Sequence, residues 1–146
     1  MEEWFERTII GRYTAEREKQ FFTHYLERFA PCGVQTVVQQ GGEWLRSSEN
    51  VVAVPRNVLM TADAMAWESH SIDVLLVPHS HETAALTQVL HEASRVLKPE
   101  GRLVLTGFNP KSLWFFSKWF DGTRLPKRKH CLTLPALNQR LAGLGF

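Results

Sequence analysis

The chain has 146 residues, 44% of them hydrophobic and 22% charged, the balance of one globular domain with its own core. A formal net charge of +2 is too small to argue for nucleic acid as a partner, which needs a concentrated basic face. No apolar stretch approaches the roughly 18 residues of a spanning helix, no leader pattern opens the chain, and Cys32 and Cys131 lack motif spacing, so the expected setting is the reducing cytoplasm.

Residues 1–13 carry Trp4, Phe5, Ile9, Ile10 and Tyr13, interrupted by Gly11, and read as an arm or short helix docked on the body. Thr14 is the expected N-cap of the next helix, with Glu16 and Glu18 in its first turn. Phe22, Tyr25, Leu26 and Phe29 then share one helical face, and Pro31-Cys32-Gly33 ends the helix. Val34–Gln39 reads as the first strand, with β-branched bulk at Val34, Val37 and Val38. Gln40-Gly41-Gly42 breaks it, and Glu43–Arg46 starts a short helix. A glycine pair directly after a strand either lets backbone amides approach a ligand or makes an ordinary turn. It is neither G-x-G-x-x-G nor a phosphate loop.

Val51–Val54 and Val58–Met60 are two short apolar runs only three residues apart. Parallel neighbours need a crossover of a dozen or so residues. The pair is therefore hairpin-like, or irregular in one part, or has lost a helix, and the last is preferred. Asp63-Ala64-Met65-Ala66-Trp67 follows as a loop with an acid at a strand's carboxyl end.

The stretch 72–110 is the most specific in the chain. Ile72–Val77 is an apolar run broken by Asp73, and Pro78-His79-Ser80-His81-Glu82 is a polar break. Thr83–Leu97 reads as a helix with Leu86, Val89, Leu90, Ala93, Val96 and Leu97 on one stripe. Lys98-Pro99-Glu100-Gly101 stops it, and Leu103–Thr106 is the next strand. This is a βαβ unit, and its near-continuously apolar strands predict a parallel sheet covered on both faces. Ligands of such sheets bind at the carboxyl ends of the strands, here 39–42, 61–64, 78–82 and 107–110.

Beyond it, Ser112 caps an aromatic helix running to about Phe120, expected as a core helix, with a lid or a membrane- or partner-facing surface as the alternative. Lys118, Arg124, Lys127, Arg128, Lys129 and His130 form a basic patch, read as a solvated loop. Thr133 caps the last helix, with Pro135 in its first turn, Leu137, Leu141 and Leu144 facing inward, and Gly145 as its stop. The expected organisation is one domain over 1–146, with a helical arm (1–30), a core sheet (34–110) and a helical C-terminal part (111–146).

His79-x-His81 with Glu82 raises a shared metal ion, but the hydrolase pattern would need Asp-His where Thr83-Ala84 stands, so no metal is expected. No Gly-x-Ser-x-Gly elbow occurs, and neither cysteine has a base beside it.

The run from Ser71 to Glu82, then Leu90-His91-Glu92-Ala93-Ser94-Arg95-Val96-Leu97-Lys98-Pro99-Glu100-Gly101-Arg102-Leu103-Val104-Leu105, resembles the class I S-adenosyl-L-methionine (SAM)-dependent methyltransferases of the type 11 group. It looks like their fourth strand, following helix and fifth strand, with the run E-x-x-R-V-L-K-P-x-G-R-L. Gly107-Phe108-Asn109-Pro110, with Ser112-Leu113-Trp114, is similar to a bacterial subgroup of that group. Leu144-Gly145-Phe146 looks like the end of the helix before the sixth strand. The resemblance implies a Rossmann-like α/β fold with a mostly parallel sheet of about five strands and helices on both faces, truncated before the last two strands. Because the chain stops where those two strands should begin, the expectation is either a fragment or a short sheet with one open edge, which invites pairing into a homodimer.

The implied cofactor is SAM and the implied partner a small-molecule methyl acceptor. By the resemblance, the methionine part of SAM passes Gln39, Gln40, Gly41 and Gly42. Asp63, Ala64 and Met65 contact adenine, and Pro78 and His79 line the site. His79, His81 and Asn109 are the catalytic candidates, as general base or orienting group. The chain departs from the family where G-x-G-x-G is reduced to Gly41-Gly42, and where the second strand ends in Pro55 instead of a ribose-binding acid. These departures lend support to an alternative, a degenerate methyltransferase fold without SAM binding, acting as a partner-binding or regulatory module. A SAM-dependent methyltransferase acting on a small molecule is still the preferred reading, because Asp63-Ala64 and the 78–82 strand end remain.

Overall fold

A computed structural model describes residues 2–29, 36–40, 45, 51–54, 58–79, 82, 85–113 and 130–146. Its helices are α1 (Glu2–Arg7), α2 (Ile9–Phe29), α3 (Leu86–Val96) and α4 (Leu134–Ala142). Its strands are β1 (Val37–Gln40), β2 (Val51–Val54), β3 (Ile72–Pro78) and β4 (Leu97–Thr106). All strand pairs are parallel, and the order across the sheet is β2-β1-β3-β4.

Period-2 alternation divides the strand side chains between two cores. Val37, Val74, Leu76 and Val104 face Trp4, Phe5 and Phe22 of α1 and α2. Val38, Val54, Leu75 and Val77 face Val89, Ala93 and Val96 of α3. Helices therefore cover both faces, as the unbroken apolar strands require. The α3 stripe is as expected, with Leu86, Val89, Leu90, Ala93 and Val96 buried.

The N-terminal boundary differs from the sequence expectation. One helix of 21 residues begins at Ile9, and Thr14 lies inside it with Oγ1 donating back to the Ile10 carbonyl at 2.9 Å. The capping residue is Thr8. Its Oγ1 accepts from the Gly11 N–H at 2.9 Å and donates to the Trp4 carbonyl at 2.9 Å. Gly11 is required at this junction, because a Cβ there would stand 2.2 Å from the Trp4 carbonyl oxygen. A small residue at that point is what lets α1 fold back against α2.

The run 58–60 is irregular instead of a strand, and a turn closed by a bridge between Thr61 and Ala64 follows it. This corrects the preference for a lost helix between two strands. The first strand also starts later, at Val37 instead of Val34. Lys98–Gly101 ends α3 as expected, but the turn is carried inside β4. Leu97 already pairs with Ile72, the register then jumps to Arg102 opposite Val74, and Glu100 takes up the slack at φ 63°. Asp73, the acid within β3, accepts from Lys98 Nζ at 2.8 Å and from the Thr36 N–H at 2.9 Å, so its charge is paired at the amino end of the sheet. The last helix lacks a side-chain cap bond from Thr133 and ends at Ala142, ahead of Gly145. The 41–44 loop, Ser80, His81, Thr83 and the aromatic and basic stretch 114–129 lie outside the described residues.

Candidate functional site

The chain runs outward from β1 to β2, then returns to β3 and β4 on the other side of β1. The switch point is therefore the crevice beyond the carboxyl ends of β1 and β3. Gln39 and Gln40 end β1, and Pro78 and His79 end β3.

His79 is the most elaborately held residue in this crevice. It is 2% exposed and lies in the left-handed region at φ 56°, a conformation that costs a non-glycine residue about 1–3 kcal/mol. Its N–H donates to the Thr106 carbonyl at 2.9 Å, tying it to the end of β4. The turn that follows returns Glu82 over the ring, its N–H donating to the His79 carbonyl at 3.0 Å. Nδ1 of His79 meets Glu82 Oε2 at 2.8 Å, and Nε2 meets Glu18 Oε1 of α2 at 3.0 Å. The other Glu82 oxygen accepts the Phe108 N–H.

Aromatic rings close the opposite side. The Phe108 ring lies 4.4 Å from the imidazole and the Phe5 ring 5.1 Å from it, with Trp4 edge-on to both phenyl rings. Burial, the largest single influence on His79, opposes its charge. The hydrogen bonds and attraction of Glu18 and Glu82 outweigh it and raise the imidazole from 6.5 to about 9. His79 is then an imidazolium at neutral pH, donating from both nitrogens.

A cleft of about 420 Å³ opens beside this cluster. Glu18, Glu82, Thr106, Phe108, Asn109 and Leu137 are among its walls. It joins the middle of α2, the end of β4 and the first turn of α4 at the carboxyl edge of the sheet.

The other expected site residues are placed as follows. Gln39 is buried and spans the glycine loop, its Oε1 accepting the Leu45 N–H at 2.8 Å and its Nε2 donating to the Leu45 carbonyl at 3.3 Å. Gln40 is equally buried, and its Nε2 has no hydrogen-bond partner. Gly41, Gly42 and His81 lie outside the described residues. Asp63 and Ala64 are exposed in the turn after β2, while Met65 packs in the core on the α3 side. Asn109 is exposed, and its Oδ1 accepts the Lys111 N–H at 3.0 Å, so one end of its amide shapes the exit loop.

Two further features escaped the sequence reading. Glu18 stands 61 positions from His79, and no local spacing signals that pairing. Glu92 and Arg95, the acid and base of the E-x-x-R run, form a clamp on the loop after β2. Glu92 accepts the Met65 N–H at 2.9 Å. Arg95 donates to the Met65 and Trp67 carbonyls at 2.8 Å each and to Glu92 at 2.7 Å. The Arg95 hydrogen bonds hold the Glu92 carboxyl below its ordinary range. Their i, i+3 spacing on a helix was the available signal.

A parallel sheet in this order, helices on both faces, and polar groups gathered at the switch point define the class I methyltransferase architecture. The methyltransferase domain family matches residues 22–105, more than half of the chain, and the chain belongs to that family. No curated protein matches its sequence.

Among solved structures, a SAM-dependent methyltransferase from Thermotoga maritima is similar over 100% of this chain and 81% of its own, with a TM-score of 0.61 and 18% identity. A chain from the Haloferax volcanii complex between the Trm112 methyltransferase activator and a methyltransferase is similar over 92% of this chain and 71% of its own. Its TM-score is 0.65 and its identity 12%. The YcgJ protein of Bacillus subtilis gives a TM-score of 0.55 at 15% identity, over 84% of this chain and 68% of its own. The cofactor of this family is SAM. The residues present fit it at one testable point. Gln40 Nε2, an unpaired buried donor at the end of β1, matches a ligand that brings an acceptor such as a carboxylate.

Proposed function

We propose that the protein is a SAM-dependent methyltransferase acting on a small molecule. The observation that carries this reading is the placement of Gln40 at the end of β1 and His79 at the end of β3, on either side of the switch point of a methyltransferase sheet, with an open cleft beside the neighbouring end of β4. Gln39 to Gly42 would hold the methionine part of the cofactor, Asp63 to Met65 the adenine, and Pro78 and His79 would line the site. When bound, SAM supplies a methyl group on a positively charged sulfur.

The chain's own contribution is then position and exclusion of water. His79, charged and held from both nitrogens, orients neighbouring groups instead of accepting a proton. His81 and Asn109 are the other candidates for contact with the acceptor. The clamp from Glu92 and Arg95 fixes the backbone of Met65, the last of the proposed adenine residues, and the loop after it.

Titration calorimetry with SAM and with its demethylated product tests this reading. Micromolar to low-millimolar binding is expected, and no heat at millimolar ligand with a folded chain overturns it. Asp63→Ala should weaken that binding, and unchanged affinity would remove Asp63 from the adenine site.

A second reading, a partner-binding or regulatory module on a degenerate methyltransferase fold, is favoured by one specific observation. Ile9, Ile10, Tyr13 and Phe21 are large apolar residues exposed on α2. One structural neighbour is itself held in a complex with an activator protein. The same calorimetry separates the two readings.

A further inference from the structure

We propose that the cleft beside His79 is built for a protonated amine carried on an apolar body. On the methyltransferase reading above, this amine is the methyl acceptor once it has released its proton to solvent, because only the neutral amine has a lone pair to attack the methyl group.

The charge in the cleft wall has a definite sign. Glu18 and Glu82 contribute two carboxylates, and His79, behind them, contributes one positive charge. One negative charge is left over, and no described residue lining the cleft is basic. The two carboxylates are not equivalent. Glu82 is buried with both oxygens engaged, one by His79 and one by the Phe108 N–H. Glu18 directs both oxygens at the same His79 nitrogen, at 3.0 and 3.2 Å, and its side chain keeps partial access to the cleft. A carboxylate oxygen accepts more than one hydrogen bond, so Glu18 retains acceptor capacity for an ammonium.

The remaining walls match the other end of such a ligand. Phe108, Leu132 and Leu137 are apolar, and an aromatic face also attracts a cation. Thr106 adds a buried hydroxyl without a hydrogen-bond partner. Because His79 anchors Glu18 on one side only, the ion pair holds the carboxylate in place without using it up. An anionic ligand would meet like charge in the same wall, and a neutral one would leave the wall's surplus negative charge unmatched.

The probe is 2-phenylethylammonium, compared with its neutral isostere 2-phenylethanol and with phenylacetate, on the full chain at neutral pH and low salt. Calorimetry or ligand-observed resonance reads the affinities. The ammonium is expected to bind about tenfold or more tighter than the alcohol, and phenylacetate weakest. Glu18→Gln, whose fold is checked by circular dichroism, should bring ammonium and alcohol within about twofold of each other. Leu137→Phe, which fills the apolar end without touching the charges, should weaken both. Equal binding of the three probes, or a preference that survives Glu18→Gln, overturns the proposal. Cofactor binding is measured separately. Amine preference without SAM binding leaves this site standing and sinks the methyltransferase reading. SAM binding without amine preference does the reverse.

Discussion

Glu18 and His79 meet at 3.0 Å across 61 positions of sequence, joining the middle of the N-terminal helix to the carboxyl end of the third strand. The contact makes α2 part of the site wall instead of an outlying arm. It also ties the stability of the fold to the charge of one imidazole.

The imidazole of His79 titrates near 9 in the folded chain and near 6.5 when unfolded. A group raised on folding gives stability that is fully present below the unfolded value and lost as pH rises through the folded one. The stabilisation should therefore be full below about pH 6.5 and fade between about 7 and 9. The shift corresponds to about 3 kcal/mol. Urea midpoints measured from pH 6 to 10 should fall in this window, and in His79→Gln the fall should be absent. A wild-type midpoint that is flat over this range would refute the ion pair.

Arg95→Gln removes the cation that donates to the Met65 and Trp67 carbonyls. Those carbonyls sit beside a partly exposed side chain, so the cost should be moderate, about 1–2 kcal/mol. Faster hydrogen exchange confined to residues 61–68 is expected. If exchange rises evenly across the sheet, the clamp is not local.

Gln40→Met should leave the fold as stable or slightly more so, because it removes a buried donor that has no partner. SAM affinity should fall in the same variant. A loss of more than about 2 kcal/mol in denaturant unfolding would mean that the amide has an intramolecular role.

Gly11→Ala places a methyl where the Trp4 carbonyl stands, within 2.2 Å of its oxygen. Helix α1 must shift, and overpacking of this kind costs about 1–3 kcal/mol. Accelerated proteolysis near residue 8 should accompany the loss. Leu75→Ala, at a fully buried position of β3, should cost about 2–5 kcal/mol with no such local signature.

The βαβ unit was legible because its signals are local. The apolar run of β3, the 3.6-residue stripe of α3 and the Pro-Gly stop agree with one another. The start of α2 was misread for a local reason too. Both Thr8 and Thr14 are capping residue types, and only the fold-back of α1, permitted by Gly11, shows that Thr8 is the cap. The run 58–60 has strand composition but no described strand beside it, and composition alone carries no pairing partner. In the site, His79 was legible as a polar residue at a strand end. Its role was not, because Glu18 reaches it from another element. Spacing rules see only neighbours along one helix or strand.

The N-terminal helices meet their packing partners late in synthesis. Trp4 stacks edge-on against Phe108 with ring centres 5.3 Å apart, and Phe22 packs with Val74 and Val104. At a translation rate of about 5–20 residues per second, α1 waits roughly 5–20 s before Phe108 exists. During that interval Trp4 and Phe5 lack Phe108, and Phe22 lacks Val104, although Val37, Val74 and Leu76 of the same core are already made. The last strand of the described sheet thus also completes the packing of the first helices. A chain stalled before β4 would present the Trp4 and Phe5 rings to chaperones without the Phe108 ring that covers them.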